Sequence, residues 1–405
     1  MCSSDLFFRH VLLSTQQERT KLHWGNNAQG KNLGSPAIYG WGVVTESLMN
    51  IQKATTQYEA WLAKRTTLVQ ADLNYKHTQM TAGVFPFLRS TFYRWAQLFP
   101  EVCPDLAKAP EVLAVGDLHI ENFGTWRDAE GRLIWGVNDF DEVHEMPYTI
   151  DLVRLAVSAC LSENMRCDAK MVCETILEGY AAGLKTGGKP FVLAEEHGWL
   201  RETAVRDLGD PVQFWKKMSA LPKVEEGLPA SAREGIEHLL PRPNPVYSVA
   251  RRRAGLGSLG HMRFVGLADL TGGQIAREAK AMVPSAWLWA DDHTGPQEIL
   301  YQSILTRAVR CRDPLVELHG QWIMRRLAPD CIRVPLESLS EEKEERRLLR
   351  AMGWETANIH LGSPGAIKAV KRDLEKRRSG WLRSAMQSMS DATQKDWLEW
   401  KKSPI

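Results

Sequence analysis

The sequence has no Cys-x-x-Cys pair, no apolar run of about 18 residues, no internal repeat and no marked excess of either charge. Each absence closes off a class of protein. The seven cysteines, Cys2, Cys103, Cys160, Cys167, Cys173, Cys311 and Cys331, are scattered through 405 residues. Their odd number and wide spacing argue against a disulfide framework or zinc cluster and for reduced thiols in a cytoplasm. Without a long apolar run no membrane span is expected. The opening MCSSDLFFRHVLLSTQQ has a short apolar stretch, but no basic segment precedes it and no small-residue cleavage site follows. It does not read as a secretory signal. A net charge of +2 is far from the basic stripe of a dedicated nucleic-acid binder, so no nucleic-acid partner is expected.

What is present is ordinary globular composition, 44% apolar and 25% charged, which excludes collagen-like, coiled-coil and disordered chains. The length allows two or three domains, or one large two-lobed enzyme. Fifteen tryptophans read as packing in the core and between lobes, in preference to a stacking platform for bases or sugars.

Apolar periodicity predicts a helix over 44–66, with Leu48, Ile51, Ala54 and Tyr58 near helical spacing, and an apolar-aromatic segment over 80–99. Short buried strands are predicted at 111–115 and 133–137, with a glycine-containing turn at 128–131 between them. Helices follow from Asp151 and over 169–184. Residues 222–246, with Pro222, Pro229, Pro241, Pro243 and Pro245, read as a connector. Strands are predicted at 246–253, 261–269 and 274–282, the last two joined by a hairpin turn at Thr271, Gly272 and Gly273. A helix over 296–312, a strand over 320–327 and helices to the C-terminus complete the pattern. The mixed-sign run at 341–347 reads as a solvated helical face.

The chemistry concentrates in VGDLHIENFG, 115–124, and VNDFDE, 137–142. Asp117, Asn122, Asp139 and Asp141 fall at the ends of two short apolar strands. Any one of them alone would read as a loop residue capping its own backbone. As an ordered set, two carboxylates and an amide make a hard-cation site suited to Mg²⁺. An aspartate just before the amide is placed to take a proton from a hydroxyl nucleophile. A metal clamp plus a positioned base is what phosphoryl transfer needs.

This segment resembles the catalytic loop and metal-binding segment of aminoglycoside phosphotransferases and other kinase-like small-molecule kinases. The resemblance implies Asp117 as the catalytic aspartate, Asn122 and Asp139 as Mg²⁺ ligands, and Asp151 as a structural aspartate behind the catalytic loop. Val115 stands where that family has histidine, a departure from a mainly structural position. GLGSLG, 255–260, is a G-x-G-x-x-G. A dinucleotide loop should open a helix; here the strand HMRFVGL follows, which is the kinase arrangement of a glycine loop over ATP phosphates. A glycine-rich hairpin with an exposed lysine is one reading of this stretch. The resemblance implies Gly255, Gly257, Ser258 and Gly260 as phosphate-contacting residues and Lys280, on the next strand, as the lysine that contacts the α/β-phosphates. Its activating acid is sought on the 296–312 helix, where Glu298 is the one glutamate.

The order of the halves is reversed relative to kinases, because the catalytic loop precedes the glycine loop. Circular permutation accounts for this: AMGWETANIH, 351–360, resembles the helix that precedes the kinase catalytic loop. The chain as a whole is similar to a bacterial family, domain of unknown function 2252. KHTQM, FPFLR, GDLHIENFGTW, NDFDE, DLVRLAVS, GLGSLG, the Lys280 segment, QWIMRR and the 352–362 stretch carry that likeness. Two positions depart from it, Ala281 beside the lysine and Ser90 after FPFLR. Arg89 is an added candidate for a phosphate or carboxylate group, or for an ion pair between lobes. His119 and His360 read as packing or hydrogen-bonding residues.

The fold expected is α+β, a protein-kinase-like two-lobed fold, circularly permuted. It divides into a helical extension over 1–75, a helical lobe with the catalytic loop over 76–240, a β-rich nucleotide lobe over 241–335 and C-terminal helices over 336–405. The function expected is Mg-ATP-dependent phosphoryl transfer to an unidentified small-molecule or protein acceptor. A nucleotide-binding pseudokinase and an AMP transferase using the same cleft are the alternatives.

Overall fold

The structure, a computed structural model, describes residues 49–405 except 164, 194–196, 207–209, 242–245, 292–296, 335–338 and 340. Most of the 1–75 extension and the start of the 44–66 helix therefore lie outside the described residues. Asn50 caps the first helix, α1 (Ile51–Ala63), by accepting the Lys53 amide at 2.9 Å. Ile51, Ala54, Tyr58 and Leu62 recur every three or four residues on its buried face. The apolar stretch over 80–99 is not one element. It spans the end of α2 (Gln70–Ala82), α3 (Val84–Ser90) and most of α4 (Phe92–Val102), with breaks at Gly83 and Thr91.

The two predicted strands form, but they do not pair with each other. The first, β1 (Glu111–Ala114), runs antiparallel to a short strand, His144–Pro147. Phe123–Arg127, which the sequence reading left unassigned, is β2 and pairs with β3 (Leu133–Val137) through the turn at 128–131. The His144–Pro147 strand is thus β4. Phe191–Val192, β5, completes a three-stranded sheet in the order β2-β3-β5. Between β1 and β2 the loop closes in one 3₁₀ turn, Ile120–Asn122. Then come α5 (Thr149–Cys160), nearly all of it buried, α6 (Ala169–Thr186), α7 (Gly198–Arg206) and α8 (Pro211–Ser219).

The proline-rich connector contains a helix, α9 (Ala230–His238), whose Ala232 and Ile236 pack on the following sheet with Phe264, Ala279, Trp322 and Met324. An apolar pair one turn apart, Ala232 and Ile236, outweighs the flanking prolines. That sheet is antiparallel and five-stranded: β6 (Ser248–Arg251), β7 (Arg263–Leu270), β8 (Gly273–Ala281), β9 (Glu317–His319) and β10 (Trp322–Leu327), in the order β6-β7-β8-β10-β9. The Leu270–Gly273 register places Thr271 and Gly272 in the tight turn expected. Between β8 and β9 lie α10 (Ala286–Ala290) and α11 (Tyr301–Arg307), a remnant of the longer helix predicted.

Three helices end the chain: α12 (Glu342–His360), α13 (Pro364–Lys376) and α14 (Trp381–Lys402). The charged run at the start of α12 is mostly solvated, but Glu345 is an exception. It is fully buried and accepts from the Arg166 and Cys167 amides at 2.9 and 3.0 Å, with the Arg166 guanidinium at 2.8 Å. Helices α6 and α12 cross so closely that a Cβ on Gly179 would lie 1.9 Å from the Arg350 carbonyl oxygen. Helix α14 returns to the start of the chain. Trp400 packs with Ile51, Met80 and Phe87, and Asp396 takes a buried ion pair from Arg94 at 2.7 Å. The described architecture is mixed α+β, with several small sheets set among many helices, and no helix among the described residues is long and apolar enough to cross a membrane.

Candidate active site

Helix α5 builds the site from beneath. Its fully buried Asp151 accepts the Val115 and Gly116 amides, both at 2.8 Å, one on each carboxylate oxygen. The His360 ring, at the end of α12, meets the same carboxylate at 3.0 Å and the Tyr180 hydroxyl at 2.9 Å. A buried carboxylate with several donors is a satisfied one, and it fixes the backbone that carries Asp117. One helical turn beyond Asp151, Arg154 is also fully buried. Its Nε donates to Asp117 Oδ1 at 2.8 Å, and its Nη2 reaches the same oxygen and the Leu88 carbonyl. The guanidinium lies over the rings of Phe92 and Trp95, 5.2 and 4.9 Å from their centroids. Burial raises the Asp117 pKa and Arg154 opposes the rise. Asn122 donates Nδ2 to the Asp117 carbonyl at 2.6 Å, which leaves its Oδ1, the atom a hard cation takes.

Asp139 and Asp141 follow β3 and face β8. Lys280, fully buried on β8, places Nζ 3.4 Å from Asp139 Oδ1 and pairs directly with Asp141. Burial would raise Asp139, but the Lys280 ammonium holds its carboxyl well below the usual range. Burial and the neighbouring Asp139 charge push Asp141 up to about 6. These two aspartates, and not Glu298, are the acidic partners of Lys280. Glu298 is exposed and precedes α11. Next to them, Glu142 accepts the Ala286 amide at 2.7 Å and the Ser285 hydroxyl at 3.1 Å, and burial pushes its carboxyl up to about 8.

The glycine loop comes down from the five-stranded sheet onto this set. Gly255 and Gly260 take φ of +75° and +100°, a region that favours glycine. Gly257 is needed for closeness: a Cβ there would stand 3.1 Å from the Arg89 carbonyl oxygen and 3.3 Å from Asp117 Oδ2. Arg263 donates to the Ser258 hydroxyl at 2.9 Å. Beneath it, fully buried Glu278 binds Arg252, Arg263 and Arg325 at 2.6, 3.1 and 2.6 Å. From the other side, Lys76 on α2 donates Nζ to the Gly257 carbonyl at 3.0 Å. Arg89 pairs with Glu121, which Arg333 also grips, so the ion-pair reading of Arg89 describes its contacts here. His119 accepts the Glu121 amide on Nδ1 at 3.2 Å, and burial, then Arg89, hold its pKa well below the ordinary value.

Asp117, His119, Asn122, Asp139, Asp141, Arg89, Gly257 and Ser258 line a single narrow cleft, part of it open to solvent. Lys280 stands behind Asp139 and Asp141, and Asp151 beneath the loop; Gly255 and Gly260 flank the cleft as the ends of the glycine loop. Sequence reasoning assigned no site role to Lys76 or Arg154, nor to Tyr58 and Tyr93, whose rings stack at 4.4 Å on the cleft wall, and it read Glu142 only as one of an acidic cluster with Asp139, Asp141 and Glu145. Arg154 had a signal: a lone arginine within LVRLAVS has to be paired when that helix is buried. Among the described residues no three His, Cys, Asp or Glu side chains gather as a metal cage. Asn122 and Asp139 instead offer the sparse oxygen set that Mg²⁺ accepts when substrate phosphates and water supply the other ligands.

No curated protein and no solved structure matches the chain. Residues 68–198, which hold α2 through α6 and both the Asp117 loop and the Asp139 segment, match a family described as an uncharacterized protein conserved in bacteria, DUF2252.

Proposed function

We infer that this chain is an Mg-ATP-dependent phosphotransferase acting on a hydroxyl-bearing acceptor, with a kinase-like cleft whose two halves occur in exchanged order along the chain. The observation that carries this reading is the meeting of Lys280 with Asp139, 141 residues apart, beneath a glycine loop that touches Asp117. A lysine, a glycine loop, an asparagine and two aspartates drawn from separate sheets have no common structural reason to converge. Phosphoryl transfer supplies one. The exchanged order is supported by α12, which ends at His360 against Asp151 under the 115–117 loop.

In this reading Asp117 takes the acceptor proton. Arg154 occupies Oδ1, which leaves Oδ2, the oxygen beside Gly257, as the basic atom. The acceptor oxygen bonds to the γ-phosphorus, the bond from phosphorus to the β,γ-bridging oxygen breaks, and ADP departs. Lys280 and the 255–260 loop hold the phosphates. Asn122 and Asp139 would hold Mg²⁺, which offsets charge on the phosphate oxygens.

Calorimetric titration with ATP, with and without Mg²⁺, tests the reading on the wild type and on Asp139→Ala. We expect Mg-dependent binding in the wild type and a loss of about a hundredfold or more in the variant, which keeps its melting transition. A folded wild type that ignores Mg-ATP overturns the proposal. With binding in hand, product mass from an acceptor screen separates added phosphate from added adenylate.

A further inference from the structure

The groups that line the cleft are unequally satisfied. The acidic side already has its donors: Asp139 and Asp141 hold Lys280, Asp117 holds Arg154, and Glu142 holds the Ala286 amide and Ser285 hydroxyl. The basic side keeps donors in reserve. Lys76 is 5% exposed, and its one hydrogen bond goes to a neutral carbonyl, Gly257, so two of its three N–H groups remain. Arg89 meets Glu121 through Nη1, while its Nε is buried with no hydrogen-bond partner. A buried N–H without a partner is destabilising, and more so when it is charged. Such a cost is removed when an anion arrives.

Both cations line the same cleft as Asp117. Lys76 bonds the carbonyl of Gly257, and a Cβ on that glycine would lie 3.3 Å from Asp117 Oδ2. Neither cation belongs to the five-stranded sheet. Both come from the N-terminal helices α2 and α3, which contribute to the cleft wall.

We propose that Lys76 and Arg89 bind the oxygens of the phosphoryl group as it passes from nucleotide to acceptor, a second cationic pair distinct from the Lys280 contact to the nucleotide. This rests on the phosphotransferase reading above. Lys76 turns from the Gly257 carbonyl to the equatorial oxygens, and the Arg89 Nε supplies a fixed donor while Nη1 stays with Glu121. Their stabilisation grows as charge gathers on the transferring group, so it acts on turnover more than on nucleotide affinity.

The probe is Mg-ADP with and without aluminium fluoride, whose metal-fluoride unit takes the place of the transferring phosphoryl group. Binding is measured by calorimetry on the wild type, Lys76→Met, Arg89→Gln and Arg89→Lys. In the wild type fluoride should tighten ADP binding by about a hundredfold or more. Lys76→Met and Arg89→Gln should bind Mg-ADP within about threefold of wild type, yet lose at least about tenfold of the fluoride gain. Arg89→Lys should recover part of it, since it restores charge without the planar fork. Should Lys76→Met fail to fold, the two Arg89 variants decide. Fluoride gain equal in wild type and variants, or absent from a wild type that binds Mg-ADP, overturns this inference alone. No Mg-ADP binding by the folded wild type overturns the phosphotransferase reading as well.

Discussion

Glu142 accepts two donors on one oxygen, Oε2, from the Ala286 amide and the Ser285 hydroxyl. A glutamine carbonyl can take both, so Glu142→Gln removes a titration with little loss of bonding. The native pKa, about 8, lies above the ordinary 4.5 because burial disfavours the charge. As pH rises the unfolded chain releases this proton first. The carboxyl's contribution to stability is complete below about pH 4.5 and drains away as pH climbs toward 8. Glu142→Gln should therefore match the wild type in stability near about pH 5 and exceed it near about pH 8–9, by at most a few kcal/mol at about 1.4 kcal/mol per unit, read by denaturant titration at each pH. A difference that does not vary with pH would show that Glu142 is ionised in the fold. At this scale the sequence was informative where chemistry comes as an ordered set. Asp117, Asn122 and Asp139, named from the strand ends, and Lys280, named from the kinase resemblance, are brought near one another by the fold. Lys76, Arg154 and the true acids of Lys280 were not named in those roles, because each acts on a residue far away in sequence: Lys76 on Gly257, 181 residues on, and Lys280 on Asp141, 139 residues back. Spacing along a chain records neighbours within an element and is silent about such meetings.

Helices α6 and α12 touch through glycine. A methyl at Gly179 would meet the Arg350 backbone at 1.9 Å, and one at Gly353 the Ile176 carbonyl oxygen at 2.1 Å. In an open helix Gly→Ala stabilises by about 1 kcal/mol. Here the sign reverses, since the backbones would have to part. Gly179→Ala should lower stability by about 1–3 kcal/mol in a denaturant titration. A neutral or stabilising result would mean that the two helices slide apart without cost. Elements of this kind were partly legible. The strands at 111–115 and 133–137 were correct as strands, because short apolar runs bounded by turns have few other homes. Their pairing was not, because β2 and β4 intervene: FGTWR carries glycine and threonine among its aromatics, and HEMP has a polar start. The β7–β8 hairpin was found through its Thr-Gly-Gly turn, whereas α9 was hidden by the prolines around it.

Taken whole, the molecule is held by an N-terminal group of helices that a much later helix completes. Trp400 is fully buried among Ile51, Met80 and Phe87, and its indole N–H reaches the His77 carbonyl at 3.4 Å. Trp400→Ala should cost about 3–5 kcal/mol, read as a lower denaturant midpoint with an unchanged slope. A smaller loss with a shallower slope would indicate that α14 detaches by itself. The distribution of contacts also sets a timetable. Arg94 waits 302 residues for Asp396. At about 5–20 residues per second of synthesis, that is roughly 15–60 s. Through that interval the helices bearing Lys76 and Arg89 exist without their cover, with Met80 and Phe87 open to any passing apolar surface. A message cut short before α14 would yield a chain with the aspartate loop and the glycine loop, but with Met80 and Phe87 lacking Trp400 and Arg94 lacking Asp396.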